Sequence, residues 1–507
     1  MPIPFNTMPA SLRHPGFFVE ADASMAGLDN VGLPSVLIVG QRLSTGVANP
    51  GEIVQIDSLA DGVIKAGVGS MLATMVRRFY DASPGGIRVF ILPVDGNPSS
   101  VQATSTLTVT APPTAAGLFE LYIGGEQVEV PVTAGQTAIA IALSIRDAID
   151  AATARLPITV PANNGTAAYT LTAKDRGAQG NGIDIRINAN YGDKIPAGML
   201  VGLSAFSGGT LTPALVSTTS ALQAVFDNDV SGFVTSPVKW VVLGYNDASA
   251  VSAFNDVAEK MFGPTIQSGF RIFTAFGGAS YSAITAYLMG KNYRQVSCLA
   301  TTGLMTTAWD AAAIFLGAAA APLFENPTRS LGGKALKGLR IMQSLTFEQR
   351  NSMLFVGGST LEKGRDGTAY IGRVITMYTM RFDGSPDDAW LDINTIETFE
   401  RVRRERNAEK LKRFSGMAVA RTDEGFRPGL PVVTVDTYRA FLLSFYKERL
   451  MRELGWVQEY EYYRKTLIVE LDPNNPTRIN DFGQDVFINP FHGGLGRDQF
   501  RKAIPVV

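Results

Sequence analysis

The residue types that most often carry catalysis are scarce in this chain of 507 residues. It has 2 histidines, His14 and His492, and each lies near one end of the chain. A Ser-His-Asp or Cys-His mechanism needs an imidazole at its centre. No Ser-x-x-Lys sequence falls in a strand-to-helix context that would favour a serine–lysine pair. The sequence therefore predicts that no histidine enters the folded body and that the protein is not a hydrolase.

Metal and phosphate sites are not predicted either. There is no Cys-x-x-Cys sequence, and the histidines are too few for a zinc or iron site. Residues 383–388 lack the spacing of an EF-hand loop, and their Gly-Ser-Pro sequence favours an acidic, solvated turn. Residues 67–70 lack the remaining positions of a phosphate loop, and residues 493–497 follow no strand. We expect no cofactor and no bound metal.

Composition places the chain among ordinary globular proteins. Cys298 is the only cysteine, so no disulfide can form within the chain, and its apolar neighbours predict a buried, unreactive thiol. The formal net charge of -1 gives no overall attraction to nucleic acid or to an anionic membrane. Residues 1–6 do not resemble a secretory signal. The longest apolar stretch, 311–323, is too short to cross a bilayer and is predicted to be a buried helix.

Short apolar strands alternate with helices on both sides of a long interruption. The predicted strands are residues 36–40, 88–93, 240–244, 271–275 and 295–300, and the predicted helices are residues 58–80, 248–262, 279–290 and 307–320. Such alternation indicates a parallel sheet with helices on both faces. We therefore predict one α/β domain, made of residues 28–100 plus 211–345.

The interruption, residues 101–210, is predicted to be an inserted, β-rich surface domain. Residues 106–110 and 119–123 alternate apolar and polar side chains, as half-exposed strands do. Two glycines then lead into residues 127–130, which predicts a hairpin, and one helix is expected at 137–153. A role in binding host surface sugars is an alternative for this domain.

Residues 346–476 are predicted to form a C-terminal α+β domain. A helix is expected from Thr437 to about Leu454, and two strands joined by a turn are expected at 458–463 and 466–470. Residues 1–27 and 477–507 have few periodic signals and are predicted to be arms that cannot fold alone.

Residues 399–413 are the strongest charged feature of the chain. One interpretation is a solvated helix face with pairs of opposite charge four residues apart. The other is a docking surface for an acidic partner. Nucleic acid is disfavoured because stacking aromatic residues are scarce there. The candidate cations for docking are Arg401, Arg403, Arg404, Arg406, Lys410 and Arg413.

Seven short segments stand in order along nearly the whole chain outside the insertion: IPFN (3–6), RHPGFFVE (13–20), VLIVGQRL (36–43), GSMLA (69–73), LTFEQRN (345–351), DINT (392–395) and DPNNPTR (472–478). In that order they resemble the tail sheath proteins of Mu-like phages. The chain differs from the family after Arg478, where residues 489–494 stand before its last strand candidate.

The resemblance implies a subtilisin-like α/β domain without protease activity. It implies a contractile tail sheath that assembles from six-fold rings around a tail tube and drives the tube through the host envelope. The implied partners are other copies of the chain, the tube protein, and the baseplate and terminator proteins, without nucleic acid or membrane contact. The implied location is the virion, after assembly in the host cytoplasm.

The resemblance also implies that both arms add strands to sheets of neighbouring subunits. An isolated strand needs a partner for its backbone groups, and an open sheet edge supplies one. The candidate donated strands contain Phe17, Phe18, Val19, Glu20, Ala21 and Asp22 at the N-terminus, and Ile504, Val506 and Val507 at the C-terminus. The candidate acceptor sheet contains Tyr460, Tyr462, Leu467 and Val469.

Two alternatives remain at this point. The sheath of a different contractile machine, such as a bacteriocin, would share the mechanism. An enzyme of subtilisin-like fold belongs to another class, and the histidine count argues against it.

Overall fold

The computed structural model describes residues 33–235, 238–421 and 429–497. Within these ranges the strands are, in chain order, β1 (Ser35–Gln41), β2 (Val54–Ile56), β3 (Arg88–Val94), β4 (Gln102–Ala111), β5 (Gly117–Ile123), β6 (Glu126–Val132), β7 (Ile158–Thr159), β8 (Ala168–Arg176), β9 (Ile185–Ile187), β10 (Leu200–Leu203), β11 (Lys239–Leu243), β12 (Arg271–Gly278), β13 (Val296–Thr302), β14 (Thr360–Lys363), β15 (Ala369–Arg373), β16 (Ala418–Val419), β17 (Val432–Val433), β18 (Ile468–Leu471) and β19 (Ile479–Phe482).

The α-helices of the described residues are, in chain order, α1 (Leu59–Ala66), α2 (Met71–Ala82), α3 (Ala138–Ala151), α4 (Ala214–Ser217), α5 (Thr219–Asp227), α6 (Ala248–Phe262), α7 (Tyr281–Leu288), α8 (Ala308–Glu325), α9 (Phe347–Leu354), α10 (Ile393–Phe414), α11 (Val435–Ser444) and α12 (Tyr460–Thr466). Residues Phe445–Glu453 continue α11 as a π-helix.

Six strands form the central sheet in the order β13-β12-β11-β1-β3-β2. Neighbouring strands are parallel except β2, which is antiparallel to β3. Every residue of β1, β11 and β13 is buried, as expected of parallel strands covered on both faces. Helices α2, α6, α7 and α8 pack against these strands. The predicted α/β fold with a parallel sheet is confirmed, and we call this sheet with its helices the α/β body.

The helix predicted at 58–80 is two helices, so this prediction was wrong in its middle. Gly67 and Gly69 lie between α1 and α2 with φ angles of 88° and 76°, a conformation that glycine adopts without steric cost. Ser70 then caps α2 by accepting a hydrogen bond from a first-turn N–H, as Ser58 does for α1. The glycines thus separate the two helices.

The Ala-rich helix predicted at 307–320 is α8. By length and composition it could cross a membrane, but 72% of its apolar window is buried inside the protein. It contacts α2 and strands β11, β12 and β13. The helix is therefore a core element, as predicted.

Strands β4 to β10 and helix α3 lie between β3 and β11 in the chain. They form two small antiparallel sheets, β10-β4-β8-β7 and β6-β5-β9. The predicted hairpin is β5 and β6, joined by Gly124 and Gly125. Buried side chains of these strands, such as Phe119 and Leu121, belong to the same continuous apolar core as the body. The insertion is therefore packed onto the body and shares its interior.

Helix α2 fastens the insertion to the body at three points. The N–H of Met71, at the start of α2, donates to Asp175 Oδ2 at 2.9 Å. Arg77 donates to the carbonyl of Ala154 at 2.9 Å, and Arg78 forms an ion pair with Glu126. These contacts hold both small sheets against the same helix of the body.

A second, smaller apolar core lies in the C-terminal part of the chain. It is built from Val402 and Phe414 of α10, from α11 with its π-helical continuation, and from α12. The rings of Tyr446 and Tyr463 stack there, with centroids 3.9 Å apart and planes 8° apart. We call these helices, with β18 and β19, the C-terminal unit.

The strand predicted at 458–463 is wrong, because Tyr460–Thr466 is helix α12. The alternating tyrosines suggested a strand, but Tyr463 is the buried one, and it stacks on Tyr446. The strand predicted at 466–470 is present as β18. It pairs antiparallel with β19, which lies in the segment predicted to be the C-terminal arm.

Candidate assembly surface

Helix α10 carries the predicted docking cations, and its first half is bound tightly to the body. The Arg401 guanidinium donates to the carbonyls of Leu323 and Phe324, each at 2.7 Å, in the last turn of α8. Arg403 donates to the carbonyl of Phe262, the last residue of α6, at 2.9 Å. Carbonyls at helix C-termini lack partners within the helix and attract cations. These two arginines therefore cap helices of the body.

A buried polar network lies beside these contacts, at the beginning of strands β11 and β12. Trp240 donates from Nε1 to Glu397 Oε1 at 3.1 Å. The buried Arg271 guanidinium lies 3.7 Å from a carboxylate oxygen of Glu397 and 3.5 Å from one of Glu400. Burial raises the pKa of the Glu397 carboxyl, and the nearby cations only partly offset this. Burial likewise lowers the pKa of Lys239, in the same network, to about 7.

The second half of α10 forms ion pairs with the segment that follows β18. Arg406 lies 2.6 Å from Asp485, and Lys410 lies 2.7 Å from Asp481. Arg404 is half-buried, and burial lowers its pKa. Only Arg413 among the predicted cations is exposed, with its guanidinium 5.3 Å from the centre of the Phe441 ring.

The predicted docking surface is therefore narrower than expected. Carbonyls and carboxylates of the same chain already bind Arg401, Arg403, Arg406 and Lys410. That these four side chains face the tube or a neighbouring subunit stays a prediction. The exposed end of α10 consists of Leu411, which is 70% exposed, with Lys412 and Arg413. Beside it lies a groove of about 390 Å³ lined by Asn407, Lys410, Leu411, Phe414, Ser415 and Tyr438.

The candidate acceptor residues lie on two different elements. Val469 is on strand β18, whereas Tyr460 and Tyr462 are on helix α12 and so cannot pair with a donated strand. Leu467 is buried between α12 and β18. Among the described residues β18 and β19 form a sheet of two strands, so each has one edge without a strand partner.

Part of the predicted C-terminal arm folds back on its own chain. The N–H of Gln458 donates to the carbonyl of Val486 at 2.8 Å, and the N–H of Ile488 donates to the carbonyl of Trp456 at 3.1 Å. With β19, these contacts show that residues 479–488 of the predicted arm belong to the C-terminal unit. The predicted donated strands, residues 17–22 and residues 504–507, lie outside the described residues.

His492 reaches the body, so the prediction that no histidine does so was wrong. Its Nε2 lies 3.2 Å from Asp392 Oδ1, and its Nδ1 lies 3.4 Å from Ser330 Oγ. Two other contacts distinguish this arrangement of Asp392, His492 and Ser330 from a catalytic triad. Arg373 donates to both carboxylate oxygens of Asp392, and Ser330 Oγ accepts the N–H of Gly332 at 3.3 Å. A serine that is to be activated needs a closer base than this one.

Cys298 and a cleft beside the central sheet are further features of the described residues. Cys298 is buried, as predicted, and burial raises the pKa of its thiol to about 12. Within these residues, no group of three or more metal-binding side chains is present. A cleft of about 660 Å³ lies at the carboxyl ends of β11, β12 and β13. Its charged side chains, Asp184 and Arg186, are paired with each other.

The chain is similar to known sheath proteins. It is 28% identical over 494 residues to the Mu-like prophage FluMu tail sheath protein of Haemophilus influenzae, a match that covers 97% of this chain and 98% of the relative. No protein-family model matches.

Solved structures of low sequence identity also match. A sheath tail protein from Desulfitobacterium hafniense has a TM-score of 0.44 and 12% identity, covering 94% of this chain and 99% of that chain. A sheath tail protein from Listeria innocua has a TM-score of 0.46 and 10% identity, covering 90% of this chain and 95% of that chain. The contracted helical sheath of the anti-feeding prophage has a TM-score of 0.46 and 12% identity, covering 96% of this chain and 99% of that chain.

Proposed function

We infer that this chain, whose predicted resemblance to Mu-like tail sheath proteins is confirmed by a full-length relative, is the structural subunit of a contractile tail sheath. The observation that carries this inference is the match over 97% of the chain and 98% of the relative. The subunits polymerise as helical six-fold rings around a tail tube, and they contract to drive the tube through the host envelope. The protein is part of the virion, assembles in the host cytoplasm, and is not an enzyme.

The proposal extends to the topology of the body, the domain division of the chain and its partners. The α/β body has the subtilisin-like topology that the resemblance implies. The chain divides into an N-terminal arm (1–27), a sheath domain (28–100 plus 211–345), an inserted domain (101–210), a C-terminal domain (346–476) and a C-terminal arm (477–507), of which residues 479–488 pack on the C-terminal unit. The tube, baseplate and terminator proteins are its partners beside other copies of itself.

Unpaired sheet edges in the C-terminal unit support polymerisation. The two-stranded sheet of β18 and β19 leaves backbone donors and acceptors at its rims, which a strand from another copy can satisfy. A head-to-tail contact of this kind, if it does not close on itself, builds a helical tube. Val469 on β18 lies in the proposed acceptor sheet, and the donated strands come from residues 17–22 and 504–507 of neighbouring copies.

The exposed end of α10 supports a second contact. Lys412 and Arg413 carry positive charge beside the exposed side chain of Leu411. An apolar centre with a charged rim is typical of a protein interface. We assign this end of α10 to contact with the tube or with a neighbouring sheath subunit.

Deletion of residues 1–22 tests the proposed strand exchange. The truncated protein is expected to keep the circular dichroism and the thermal midpoint of the full-length chain but to form no tubes in electron micrographs. The full-length chain, purified and concentrated in parallel, is the control. Abundant tubes from the truncated protein would refute the exchange of the N-terminal strand.

A further inference from the structure

The chain makes an acidic turn shortly before α10 begins. Met380 and Pro386 form an antiparallel bridge across this turn. Asn292 of the body fixes its base, because Asn292 Oδ1 accepts the N–H of Met380 at 3.1 Å and Asn292 Nδ2 donates to the carbonyl of Met380 at 2.6 Å. We call residues 380–388 the acidic turn. Its backbone is held in place by contacts within its own chain.

The acidic turn carries an aromatic side chain together with carboxylates. Phe382 is fully exposed, and Asp383 and Asp388 are exposed in the same turn. The Ser385 hydroxyl donates to Asp383 Oδ1 at 2.6 Å, and this bond holds the pKa of Asp383 below its ordinary value, so the carboxylate stays charged. A partner can bury an exposed ring on a fixed backbone at a small cost in conformational entropy.

The groove at the exposed end of α10 has the complementary character. Its volume of about 390 Å³ leaves room for an aromatic side chain, and its apolar walls are Leu411, Phe414 and Tyr438. Lys412 and Arg413 are exposed on the same turn of the helix. Glu409 lies 3.8 Å from Lys412, but an exposed pair of this kind contributes little and can be exchanged for another. The groove therefore offers an apolar centre with positive charge at its rim.

The acidic turn and the groove of one chain are held apart by α10. The turn ends before the first residue of the helix, Ile393, whereas Leu411 of the groove lies 18 residues further along it. This length of helix is about 27 Å at 1.5 Å per residue. Arg401 and Arg403 bind the first half of the helix to the body. The full exposure of Phe382 agrees with this separation, because the ring does not fill the groove of its own chain.

We propose that the acidic turn of one copy docks in the groove at the exposed end of α10 of a second copy. Phe382 enters the groove, and Asp383 and Asp388 face Lys412 and Arg413. The contact rests on the proposed function, which assigns the exposed end of α10 to an interface, and it names the surface that this end meets. An apolar centre is enclosed by opposite charges, which favour this pairing and disfavour the pairing of two like surfaces.

The contact joins two different surfaces, so it is head-to-tail. Each copy that has used its turn still has its groove available, and the reverse holds for its neighbour. Such contacts extend into open helical assemblies when the rotation between copies does not close a ring. The proposed contact therefore adds to the exchange of strands a second link between subunits, formed by side chains of the acidic turn and of the end of α10.

Sedimentation velocity of the purified full-length chain at rising concentration tests the aromatic part of the contact. Phe382→Ala should raise the concentration at which half of the copies are associated by about tenfold or more, the effect expected of an aromatic side chain at the centre of an interface. Phe355→Ala is the matched control, because Phe355 is also exposed but lies outside both surfaces, and it should associate as the wild type does. Circular dichroism should show that both variants are folded.

Reversal of charge tests which surface meets which. Asp383→Lys with Asp388→Lys should weaken association, and so should Lys412→Glu with Arg413→Glu. An equal mixture of these two double variants should associate as the wild type does, because each reversed surface then finds the opposite charge on the other variant. The chain that carries all four substitutions should also recover.

Two results would overturn the proposal. One is association of Phe382→Ala at the same concentration as Phe355→Ala, and the other is a mixture that associates no better than the double variants alone. The second result is expected if the end of α10 meets a different protein, such as that of the tube. Tubes formed by the wild type without recovery in the mixture would leave the sheath assignment standing, so the two failures are distinguishable.

Discussion

The α/β body and the C-terminal unit achieve their stability in different ways. In the body, strands β1, β11 and β13 are buried along their whole length, and the apolar core extends into the insertion. In the C-terminal unit the core is small, half of its buried residues are aromatic, and its sheet has two short strands. Ion pairs such as Lys410 with Asp481 bind the surrounding segment to it.

The difference indicates which region is complete by itself. A parallel sheet covered on both faces has little backbone left to satisfy. A two-stranded sheet is only marginally stable alone, and it gains from further strands. We therefore expect the body to fold and move as a rigid unit and the C-terminal unit to be the place where copies of the chain join. Helix α10 links the two regions, because its first half caps helices of the body and its second half contributes to the small core.

The largest expected effect comes from breaking the polar network at the start of β11 and β12. Arg271→Met removes a buried cation and leaves the carboxylates of Glu397 and Glu400 without it. Loss of one partner from a buried ion pair costs about 3–5 kcal/mol. Urea denaturation followed by circular dichroism should show this loss in the free energy of unfolding. Arg329→Ala, at an exposed ion pair, is the control and should change little. A stability of Arg271→Met within about 1 kcal/mol of wild type would contradict the anchoring role of this network.

A smaller and more local effect is expected in the C-terminal unit. Tyr446→Ala removes a fully buried ring that stacks on Tyr463, at a cost of about 3 kcal/mol. Limited proteolysis should then cut within residues 435–497 while the body stays intact. Tyr446→Phe keeps the ring and loses only two hydrogen bonds, one donated to the carbonyl of Gln458 and one accepted from the N–H of Val486. It should be cut more slowly than Tyr446→Ala. If the protease degraded the body of Tyr446→Ala as fast as its C-terminal unit, the two regions would not differ in stability as described.

The joint between the insertion and the body should depend on pH. Burial raises the pKa of the Asp175 carboxyl to about 7, well above its value in the unfolded chain. This carboxyl therefore binds a proton more tightly in the folded state. This contribution to stability is complete below about pH 4 and is lost as the pH rises through about 7. Asp175→Asn should therefore raise the thermal midpoint at pH 8 relative to wild type and leave it nearly unchanged near pH 4. The corresponding gain in the free energy of unfolding at pH 8 is on the order of 4 kcal/mol. A lower midpoint at pH 8 would contradict this sign.

The smallest effect on folding is expected at the exposed end of α10. Lys412→Glu with Arg413→Glu should change the free energy of unfolding by less than about 1 kcal/mol, because exposed charges contribute little. The same variant should assemble poorly if this end contacts the tube or another subunit. Lys412→Arg with Arg413→Lys keeps the charge and should assemble normally. Normal assembly of the charge-reversed protein would exclude this end of the helix from the interface.

Much of the fold could be predicted because its main signals are local. The strands of the body are continuous apolar runs, and the resemblance to sheath proteins rests on short segments that survive in order. The break at Gly67 and Gly69 was missed because the apolar pattern continues across it. Helix α12 was missed because Tyr460 and Tyr462 suggest alternation, whereas Tyr463 faces the core.

The candidate surface was harder to predict because its contacts are distant in sequence. The carbonyls that Arg401 binds are 77 and 78 residues away, and the one that Arg403 binds is 141 residues away. Every residue type has a backbone carbonyl, so the sequence does not reveal which carbonyls at helix ends accept a hydrogen bond. His492 was assigned to a free arm, and its contact with Asp392 spans a similar distance. One signal was present, because residues 479–488 carry two acids, Asp481 and Asp485, that pair with the basic helix.

Electron microscopy of the purified full-length chain at rising concentration tests the central claim most directly. A subunit whose sheet is completed by strands from its neighbours should form hollow, striated tubes built from stacked six-fold rings. Particles that stay single at every concentration would contradict the account of this chain as a sheath.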